Sequence, residues 1–271
     1  MEFLTTYILP VLIFAVIGAA AGGLLLLASR LFTVETDETV ERLTAALPGG
    51  NCGACGYSGC EGYANAMAKG EAPTNRCKPG GEGAAKSLAD IMGTEALDTA
   101  REVAYVRCNG CTSACEDRYI FEGTESCVAT ERFYNGKKAC RSGCDGLGDC
   151  INVCEHGAIS VIDGVAVVIP DKCRGCGKCA EVCPNKLIVM LPAEQKYAVR
   201  CSSRDAGKLT CAVCKNGCIG CKLCEKKCPA SAISVVDNHA VIDGEKCTSC
   251  GACAEACPQK CIQLLPQCGV D

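Results

Sequence analysis

Cysteines dominate the chemistry that this chain can perform, since they number 29 in 271 residues. Three stretches repeat one spacing, in which two, two and three residues separate four cysteines and a proline follows the last one. Three thiolates on one tight loop can grip a [4Fe–4S] cubane, and the fourth reaches a neighbouring cluster. The proline then turns the chain away from the site. The three stretches begin at Cys173, Cys218 and Cys247.

In bacterial ferredoxins with this spacing, the fourth cysteine of each run binds the other cluster of its pair. Structural zinc is one alternative, but zinc sites usually use two separated cysteine pairs. Disulfides are another, and a cytoplasmic location would keep these thiols reduced. The crossing rule predicts three ligand sets, namely Cys218, Cys221, Cys224 and Cys257; Cys247, Cys250, Cys253 and Cys228; and Cys173, Cys176, Cys179 and Cys154.

The unit before these runs is incomplete, because Leu147 stands where the later repeat has Cys221. We expect Cys140 to replace the missing ligand, with a three-iron cluster as the alternative. Cys214 occupies the position of Cys140 in the complete repeat, however, so Cys140 could instead serve an additional cluster. The remaining ligands of this unit are Cys144, Cys150 and Cys183.

A different motif lies upstream, where four cysteines are separated by two, four and sixteen residues within a glycine-rich segment. Glycines let the backbone approach a cluster and point N–H groups at its sulfur atoms. We interpret the motif as one further [4Fe–4S] site, with zinc as the alternative. Its cysteines are Cys52, Cys55, Cys60 and Cys77.

The cysteines outside these sets allow one or two more clusters beyond the five already predicted. Cys261 aligns with Leu187 of the preceding repeat, so it could also be a small buried hydrophobic residue. Three groupings remain open: a local site of Cys108, Cys111, Cys115 and Cys127; a site of Cys201, Cys211 and Cys214 with Cys261 or Cys268; and the repeat-related set Cys127, Cys140, Cys201 and Cys214.

The elements that must position these thiols follow from an internal duplication. A shift of 74 residues aligns the cysteines of two copies, and an offset of 29 residues relates the halves of each copy. Within a unit, a Cys-rich loop precedes a short helical turn and β-rich runs, such as 158–162 and 165–169 around Asp163-Gly164. Units this small need clusters in place of a hydrophobic core.

The first thirty residues are predicted to form a single transmembrane helix. Residues 3–29 carry no charge. This uncharged stretch is longer than the roughly 20 residues needed to cross a bilayer as a helix. A cleaved signal peptide is the alternative, but it needs a basic start and a shorter apolar core. Arg30 weakly favours a location in the cell (inner) membrane with the bulk of the chain on the cytoplasmic side.

The fold class expected is therefore α+β, with tandem ferredoxin-like domains behind a membrane helix. Only His156 and His239 are available for histidine-based sites, and neither a dinucleotide nor a Walker A motif occurs, so we expect no catalytic substrate site in this chain. A net charge of −4 argues against nucleic acid as a partner. The expected segments are 1–30 (transmembrane anchor), 31–100 (4Fe–4S domain), 101–139 (Cys-rich linker), 140–200 and 201–271 (ferredoxin-like pairs).

The order of these parts resembles the B component of the Rnf complex in its long, polyferredoxin form. The resemblance rests on the N-terminal anchor, the segment 51–60 with Cys77, the segments 106–110, 148–150 and 217–221, and the ferredoxin units, and it covers the whole chain. It implies an iron–sulfur subunit of an ion-translocating ferredoxin:NAD oxidoreductase that pumps Na+ or H+. The implied partners are soluble ferredoxin, the membrane, and sister membrane and soluble subunits, which hold NAD and flavins.

Two alternatives to an ion-pumping complex stay open at this point. The chain could be the iron–sulfur subunit of another membrane dehydrogenase or hydrogenase, or a structural zinc-binding protein. In an ion-pumping complex of the Rnf type, three lysines beside one cluster motif could help an acidic ferredoxin to dock, with a solvated face as the alternative. They are Lys222, Lys226 and Lys227.

Overall fold

The computed structural model of the chain describes residues 9–31, 38–98 and 101–265. The chain divides into two compact units, residues 1–41 and 42–271. Helix α1 covers Leu9–Leu31, and helix α2 covers Glu38–Ala46. Among the helices of the described ranges, none has the length and apolarity required to cross a membrane. Residues 1–8 of the predicted anchor lie outside the described residues.

A small helical region follows α2 in the second unit. It contains α3 (Cys60–Ala68), a 3₁₀ turn (Lys78–Gly80) and α4 (Gly81–Met92). Gly93 follows the last residue of α4 and terminates the helix, since its φ of 64° is a left-handed value that glycine adopts without strain. The residue before α3, Gly59, has a φ of 95° for the same reason.

Tyr63 on α3 fixes the loop that leads to Cys77. Its side chain is buried, its hydroxyl donates to the carbonyl of Pro73 (2.6 Å), and it accepts from the backbone N–H of Arg76 (3.1 Å). A buried phenol with both hydrogen bonds satisfied gives the loop one preferred path. The last cysteine of the upstream motif is thereby held next to the helix that carries Cys60.

Within the described residues, the strands form four separate two-stranded antiparallel sheets. The predicted hairpin at Asp163-Gly164 is confirmed, and both turn residues have positive φ, 48° and 74°. The second copy repeats this hairpin, while the other two sheets join strands that are distant in sequence. The pairs are β1 (Glu102–Val106) with β4 (Ile188–Pro192), β2 (Ile159–Ile162) with β3 (Val165–Val168), β5 (Tyr197–Val199) with β8 (Ile262–Leu264), and β6 (Ile233–Val236) with β7 (His239–Ile242).

Short helices alternate with these strands and carry most of the remaining cysteines. Four of them are single turns that contain the third cysteine of a cluster loop, and two others precede the loops of each repeat. They are α5 (Cys127–Tyr134), α6 (Asp149–Asn152), α7 (Lys178–Val182), α8 (Gly207–Val213), α9 (Leu223–Lys227) and α10 (Ala252–Glu255).

Two hydrophobic cores result, one for each copy of the duplication. The first joins strands β1 to β4 with buried cysteines such as Cys150 and Cys179, and the second joins β5 to β8 with Cys224 and Cys253. In both cores the aliphatic side chains of the sheets pack directly against thiols. The chain thus belongs to the mixed α/β type, and its small cores are centred on the cysteines.

Candidate iron–sulfur centres

The loop cysteines occupy the same local geometry in every unit. The third cysteine of each loop lies on a one-turn helix, and three of these helices begin after a left-handed glycine, as at Gly177 (φ 77°) and Gly251 (φ 80°). Lys222 takes this position before α9 with a φ of 60°. The left-handed residue turns the loop sharply, so that its thiols point to one side.

The fourth cysteine of each run is hydrogen-bonded by the backbone N–H four residues later. Ala158 donates to Cys154 Sγ (3.4 Å), and Ala232 donates to Cys228 Sγ (3.3 Å). The same bond acts on Cys183 and Cys257. N–H groups that point at sulfur stabilise a thiolate and, when metal is bound, tune its properties. This repeated bond therefore fits cysteines that serve as ligands.

Three of the predicted ligand sets each surround a cavity. The set at Cys173 includes Cys154 from the preceding unit, in the crossed arrangement that the spacing predicts, and its cavity measures about 340 Å³. The sets at Cys218 and Cys247 are likewise completed by Cys257 and Cys228, around cavities of about 320 and 330 Å³. Equal cavities with equal donor sets indicate that one kind of group fits all three.

The chemistry of the donors suits iron–sulfur clusters. Each cavity is lined by soft thiols and by backbone N–H groups, the environment in which [4Fe–4S] clusters are held. Among the described residues, no three His, Cys, Asp or Glu side chains are grouped so that they could hold a single metal ion, an arrangement distinct from thiols spread around a cavity. A cavity of about 640 Å³, bordered by residues of β1, β3, β4 and β8, has no cysteine in its wall.

In the incomplete unit, Cys127, and not Cys140, lies beside the thiols of Cys144 and Cys150. Burial, followed by the nearby thiols of Cys144, Cys127, Cys183 and Cys179, raises the pKa of Cys150 to about 12. The sulfur of Cys127 receives the backbone N–H groups of Asp149 and Leu147, so it lies against the part of the loop where the later repeat has a cysteine. Cys140 lies instead beside Cys108, Cys115 and Cys201.

The carboxylate of Asp149 explains why Cys127 reaches this place. Its Oδ2 accepts hydrogen bonds from Ser126 Oγ (3.0 Å) and from the backbone N–H of Val128 (2.9 Å). These bonds attach the first turn of α5, where Cys127 lies, to the first turn of α6, which carries Cys150. A sequence reading restricted to the repeat cannot foresee this, because α5 lies outside the loop that it completes.

The four cysteines of the upstream motif also come together. Burial raises the pKa of Cys77, and the thiols of Cys60, Cys52 and Cys55 raise it further. Asn51 shapes the loop, since its Oδ1 accepts the backbone N–H of Cys60 at 2.8 Å. A side chain at Gly59 would place its Cβ 2.8 Å from that same oxygen, so the loop requires glycine there.

The surplus cysteines separate into two groups. Five of them line one further cavity of about 340 Å³. The others lie apart from it: Cys211 is exposed, Cys261 is buried against Cys218 and Cys257, and Cys111 contacts Ser113. Cys268 lies outside the described residues. The five that share the cavity are Cys108, Cys115, Cys140, Cys201 and Cys214.

Comparison with known proteins agrees with this geometry. Two 4Fe–4S dicluster domain models match residues 172–232 and 217–262, and an Fe-S cluster model matches residues 47–79. The B component of the ion-translocating oxidoreductase complex of Methanosarcina acetivorans is 41% identical over 253 residues, which are 93% of this chain and 96% of that protein. The chain belongs to the B-component family of ion-translocating oxidoreductase complexes.

Two other members of the B-component family match with similar coverage. The B component of the Na(+)-translocating ferredoxin:NAD(+) oxidoreductase complex of Acetobacterium woodii is 39% identical over 96% of this chain and 78% of its own length. The proton-translocating counterpart of Clostridium ljungdahlii is 36% identical over 91% and 88%. The resemblance inferred from the cysteine motifs is confirmed, and the 4Fe–4S domains place this family member among iron–sulfur proteins.

Sequence reasoning missed one equivalence between the copies. Strand β1 pairs with β4 as β5 pairs with β8, with Val106 opposite Ile188 and Val199 opposite Ile262. The strands β1 and β5 are therefore counterparts at an offset of 93 residues, and Cys108 is the counterpart of Cys201. Each of the two strands ends at the valine of a Val-Arg-Cys tripeptide, and this shared tripeptide is the sequence signal that could have revealed the equivalence.

Proposed function

We propose that the chain carries electrons as the iron–sulfur component of a membrane complex that links ferredoxin and NAD to the transport of Na+ or H+. The names of the relatives supply ferredoxin, NAD and the two ions. The observation that carries the proposal is the adjacency of successive cysteine sets in the second unit. Electrons can hop between redox centres only where each centre lies close to the next.

The upstream set and the first ferredoxin-like pair are neighbours. The pKa of Cys176 is raised by burial and then by Cys52, which belongs to the upstream set. Within the pair, the thiol of Cys179 in one set raises the pKa of Cys150 in the other. Three of the cysteine sets therefore have thiols that neighbour those of the next set. We propose that each of the five sets binds one [4Fe–4S] cluster.

The second ferredoxin-like pair includes an exposed surface beside one of its cysteine loops. Cys221 is exposed, and the side chains of Lys222, Lys226 and Lys227 around it are exposed as well. A cluster close to the surface and bordered by positive charge offers an entry point for an acidic electron carrier. We propose that ferredoxin docks on this surface, and we name it the α9 surface.

Attachment to the membrane is the second part of the proposal. The uncharged stretch of residues 3–29 is long enough to span the bilayer, and Arg30 follows it. The chain would then be anchored through residues 1–30, with residues 42–271 on the cytoplasmic side. Extraction of membranes at high pH tests this, since an anchored chain stays with the bilayer and a peripheral one is released.

Stopped-flow reduction of the anaerobically purified chain by reduced ferredoxin tests the electron-carrying role. We expect the clusters to bleach in the visible range, at a rate that falls as salt is raised because opposite charges steer the encounter. Replacing all three lysines of the α9 surface by Gln should slow the reaction at low salt. A matched control replaces three exposed lysines elsewhere, namely Lys69, Lys86 and Lys208.

The outcomes separate the proposals. If ferredoxin does not reduce the clusters at any salt concentration, the chain is not the partner of ferredoxin. If reduction occurs and the control variant slows it as much as the α9 variant, docking takes place elsewhere. Co-purification without ion-transport subunits would favour an iron–sulfur subunit of a dehydrogenase or hydrogenase without pumping.

A further inference from the structure

We propose that the cavity between the two repeats binds a sixth [4Fe–4S] cluster, with Cys108 and Cys140 from one repeat and Cys201 and Cys214 from the other as ligands. No matched family model covers all four cysteines, since the match over residues 172–232 includes Cys201 and Cys214 but neither Cys108 nor Cys140. We call it the inter-repeat site. Its existence stands apart from the proposed function, whereas its role as a link in electron transfer rests on that function.

The backbone brings Cys108 and Cys201 to equivalent places. Cys108 follows β1 and Cys201 follows β5, and each of these strands pairs with the last strand of its repeat. The arginine before each cysteine donates its backbone N–H across the sheet. Arg107 donates to the carbonyl of Leu187 at 2.8 Å, and Arg200 donates to that of Cys261 at 2.7 Å. The two cysteines therefore leave their sheets at the same point of each repeat.

The hydrogen bonds to the sulfur atoms are also equivalent. Cys108 Sγ accepts from the backbone N–H groups of Gly110 and Cys144, both at 3.4 Å. Cys201 Sγ accepts from those of Ser203 and Cys218. These donors correspond in pairs between the repeats. Both sulfurs are thus prepared for a negative charge in the same way.

The second pair of cysteines shows the same correspondence at the 74-residue offset. Cys140 Sγ receives the backbone N–H of Ser142, and Cys214 Sγ receives that of Asn216. Every sulfur of the inter-repeat site therefore accepts at least one N–H group. Two thiols from each repeat, matched in their surroundings, complete a set of four.

The cavity itself resembles the ferredoxin-like ones. Its volume of about 340 Å³ equals that of the cavity at Cys173. Cys108, Cys201 and Cys214 are buried, with 6%, 8% and 7% of their surface exposed. A space of similar size lined by the same kind of donors fits the same kind of group.

Three basic residues border the inter-repeat site, and positive charge near a thiolate-bound cluster offsets its negative charge. Arg107, Arg200 and Lys138 all line the cavity. Lys138 is 2% exposed, and its ammonium group donates to the carbonyl of Gly110. Because no acidic group is among the hydrogen-bond partners of this buried lysine, its positive charge is costly unless a negative charge lies nearby. A negatively charged cluster beside it supplies that charge.

Hydrogen bonds across the repeats hold the two halves of the site together. The side chain of Asn216 donates to the carbonyl of Asn109 at 2.9 Å, and Ser202 Oγ donates to that of Ser142 at 3.4 Å. Asn216 and Ser142 are counterparts, and so are Asn109 and Ser202. The interface is thus reciprocal, and the four cysteines are fixed by contacts that both repeats share.

Cys115 is the fifth thiol of the cavity, and we assign it as a neighbour and not as a ligand. It has no cysteine counterpart, because Val189 and Lys208 stand at the two repeat offsets. Its sulfur is hydrogen-bonded to Cys214 and receives the backbone N–H groups of Cys140 and Ala139. These bonds place it beside the ligands.

Native mass spectrometry of the anaerobically purified chain tests the inference by counting clusters. We expect six clusters, or about 24 irons, in the unmodified chain, and five in each of the variants C108S, C140S, C201S and C214S. The variants C115S and C211S should retain six. Iron and acid-labile sulfide analysis, with EPR of the reduced protein, should show the loss of one cluster and the survival of the others.

Three results would overturn the inference. One is a count of five clusters in the unmodified chain, and another is one zinc per chain in place of the sixth cluster. The third is a full count of six in C214S together with a loss in C115S. Because each ligand variant keeps five countable clusters, general unfolding is recognised by the loss of all of them. A sixth cluster in a chain that ferredoxin does not reduce would uphold the site and refute the proposed function.

Discussion

The backbone N–H of Cys144 donates a hydrogen bond of 3.4 Å to the sulfur of Cys108. Cys144 belongs to the first ferredoxin-like loop, whereas Cys108 lines the cavity between the repeats, so one peptide unit joins two neighbouring sites. The second repeat has the same link, from Cys218 to Cys201. The inter-repeat site therefore has one such connection to a cluster loop on either side.

Cys127 should be the fourth ligand of the incomplete unit. We expect C127A to convert this centre into a three-iron cluster, because only Cys144, Cys150 and Cys183 would remain. EPR of the oxidised protein detects such a cluster. Restoring a thiol in the loop with C127A/L147C should recover four irons, since Leu147 stands where the complete repeat has a ligand. Absence of a three-iron signal in C127A, with all its clusters retained, would contradict the assignment.

Asp149 should stabilise the junction of α5 and α6. Its carboxylate accepts two hydrogen bonds at the start of α5, and removing such a cap costs about 1 kcal/mol. We expect D149A to lower the free energy of unfolding by about that amount and to speed the loss of iron from the centre at Cys127. Anaerobic urea unfolding measures the first effect. E125A, which changes an exposed carboxylate just before α5, serves as control and should have little effect.

Cys261 should raise the reduction potential of the cluster at Cys218. Its sulfur lies 3.5 Å from Cys257 Sγ and is also hydrogen-bonded to Cys218, so its thiol can stabilise the added electron. Replacing it by leucine, as Leu187 stands in the first repeat, should lower the potential. A hydrogen bond of about 1 kcal/mol corresponds to about 40 mV.

An EPR-monitored redox titration of C261L measures this shift, and L187C provides the reverse experiment. The first variant should move one potential downward, and the second should move the potential of the corresponding first-repeat cluster upward. Equal potentials in the unmodified chain and C261L would show that the thiol of Cys261 only fills space.

Cluster retention should weaken as the pH falls. Burial raises the pKa of Cys144 and of Cys179, each to about 11, so protons compete with iron for these thiols throughout the neutral range. Lowering the pH raises the proton concentration and favours the protonated, metal-free form. We expect an iron chelator to remove clusters faster at about pH 6 than at about pH 8. A rate that is independent of pH would show that proton binding does not limit cluster release.

The crossed ligand sets could be predicted from the sequence because they follow from the spacing of cysteines within short runs. A run such as Cys173 to Cys183 forces three thiols onto one loop, and the position of Cys154 follows from the repeat. The hairpin at Asp163-Gly164 was predictable for the same reason, since two turn residues separate two β-rich runs.

The role of Cys127 could not be foreseen from spacing, because it depends on a tertiary contact. The carboxylate of Asp149 attaches α5 to α6, and nothing in the local pattern around Cys127 indicates this. The inter-repeat site was hidden by unequal lengths. The segment between Cys108 and Cys140 is longer than that between Cys201 and Cys214, so a single offset aligns Cys140 with Cys214 but not Cys108 with Cys201.

The reciprocal interface also bears on how the protein arose. A single ancestral repeat would carry only two of the four cysteines of the inter-repeat site, the counterparts of Cys108 and Cys140. Such an ancestor could complete the site only by pairing with a second copy of itself, as in a symmetric homodimer with a metal centre on its axis. Gene fusion would then have made that shared centre permanent and allowed each half to diverge, as Leu147 and the longer segment before Cys140 show.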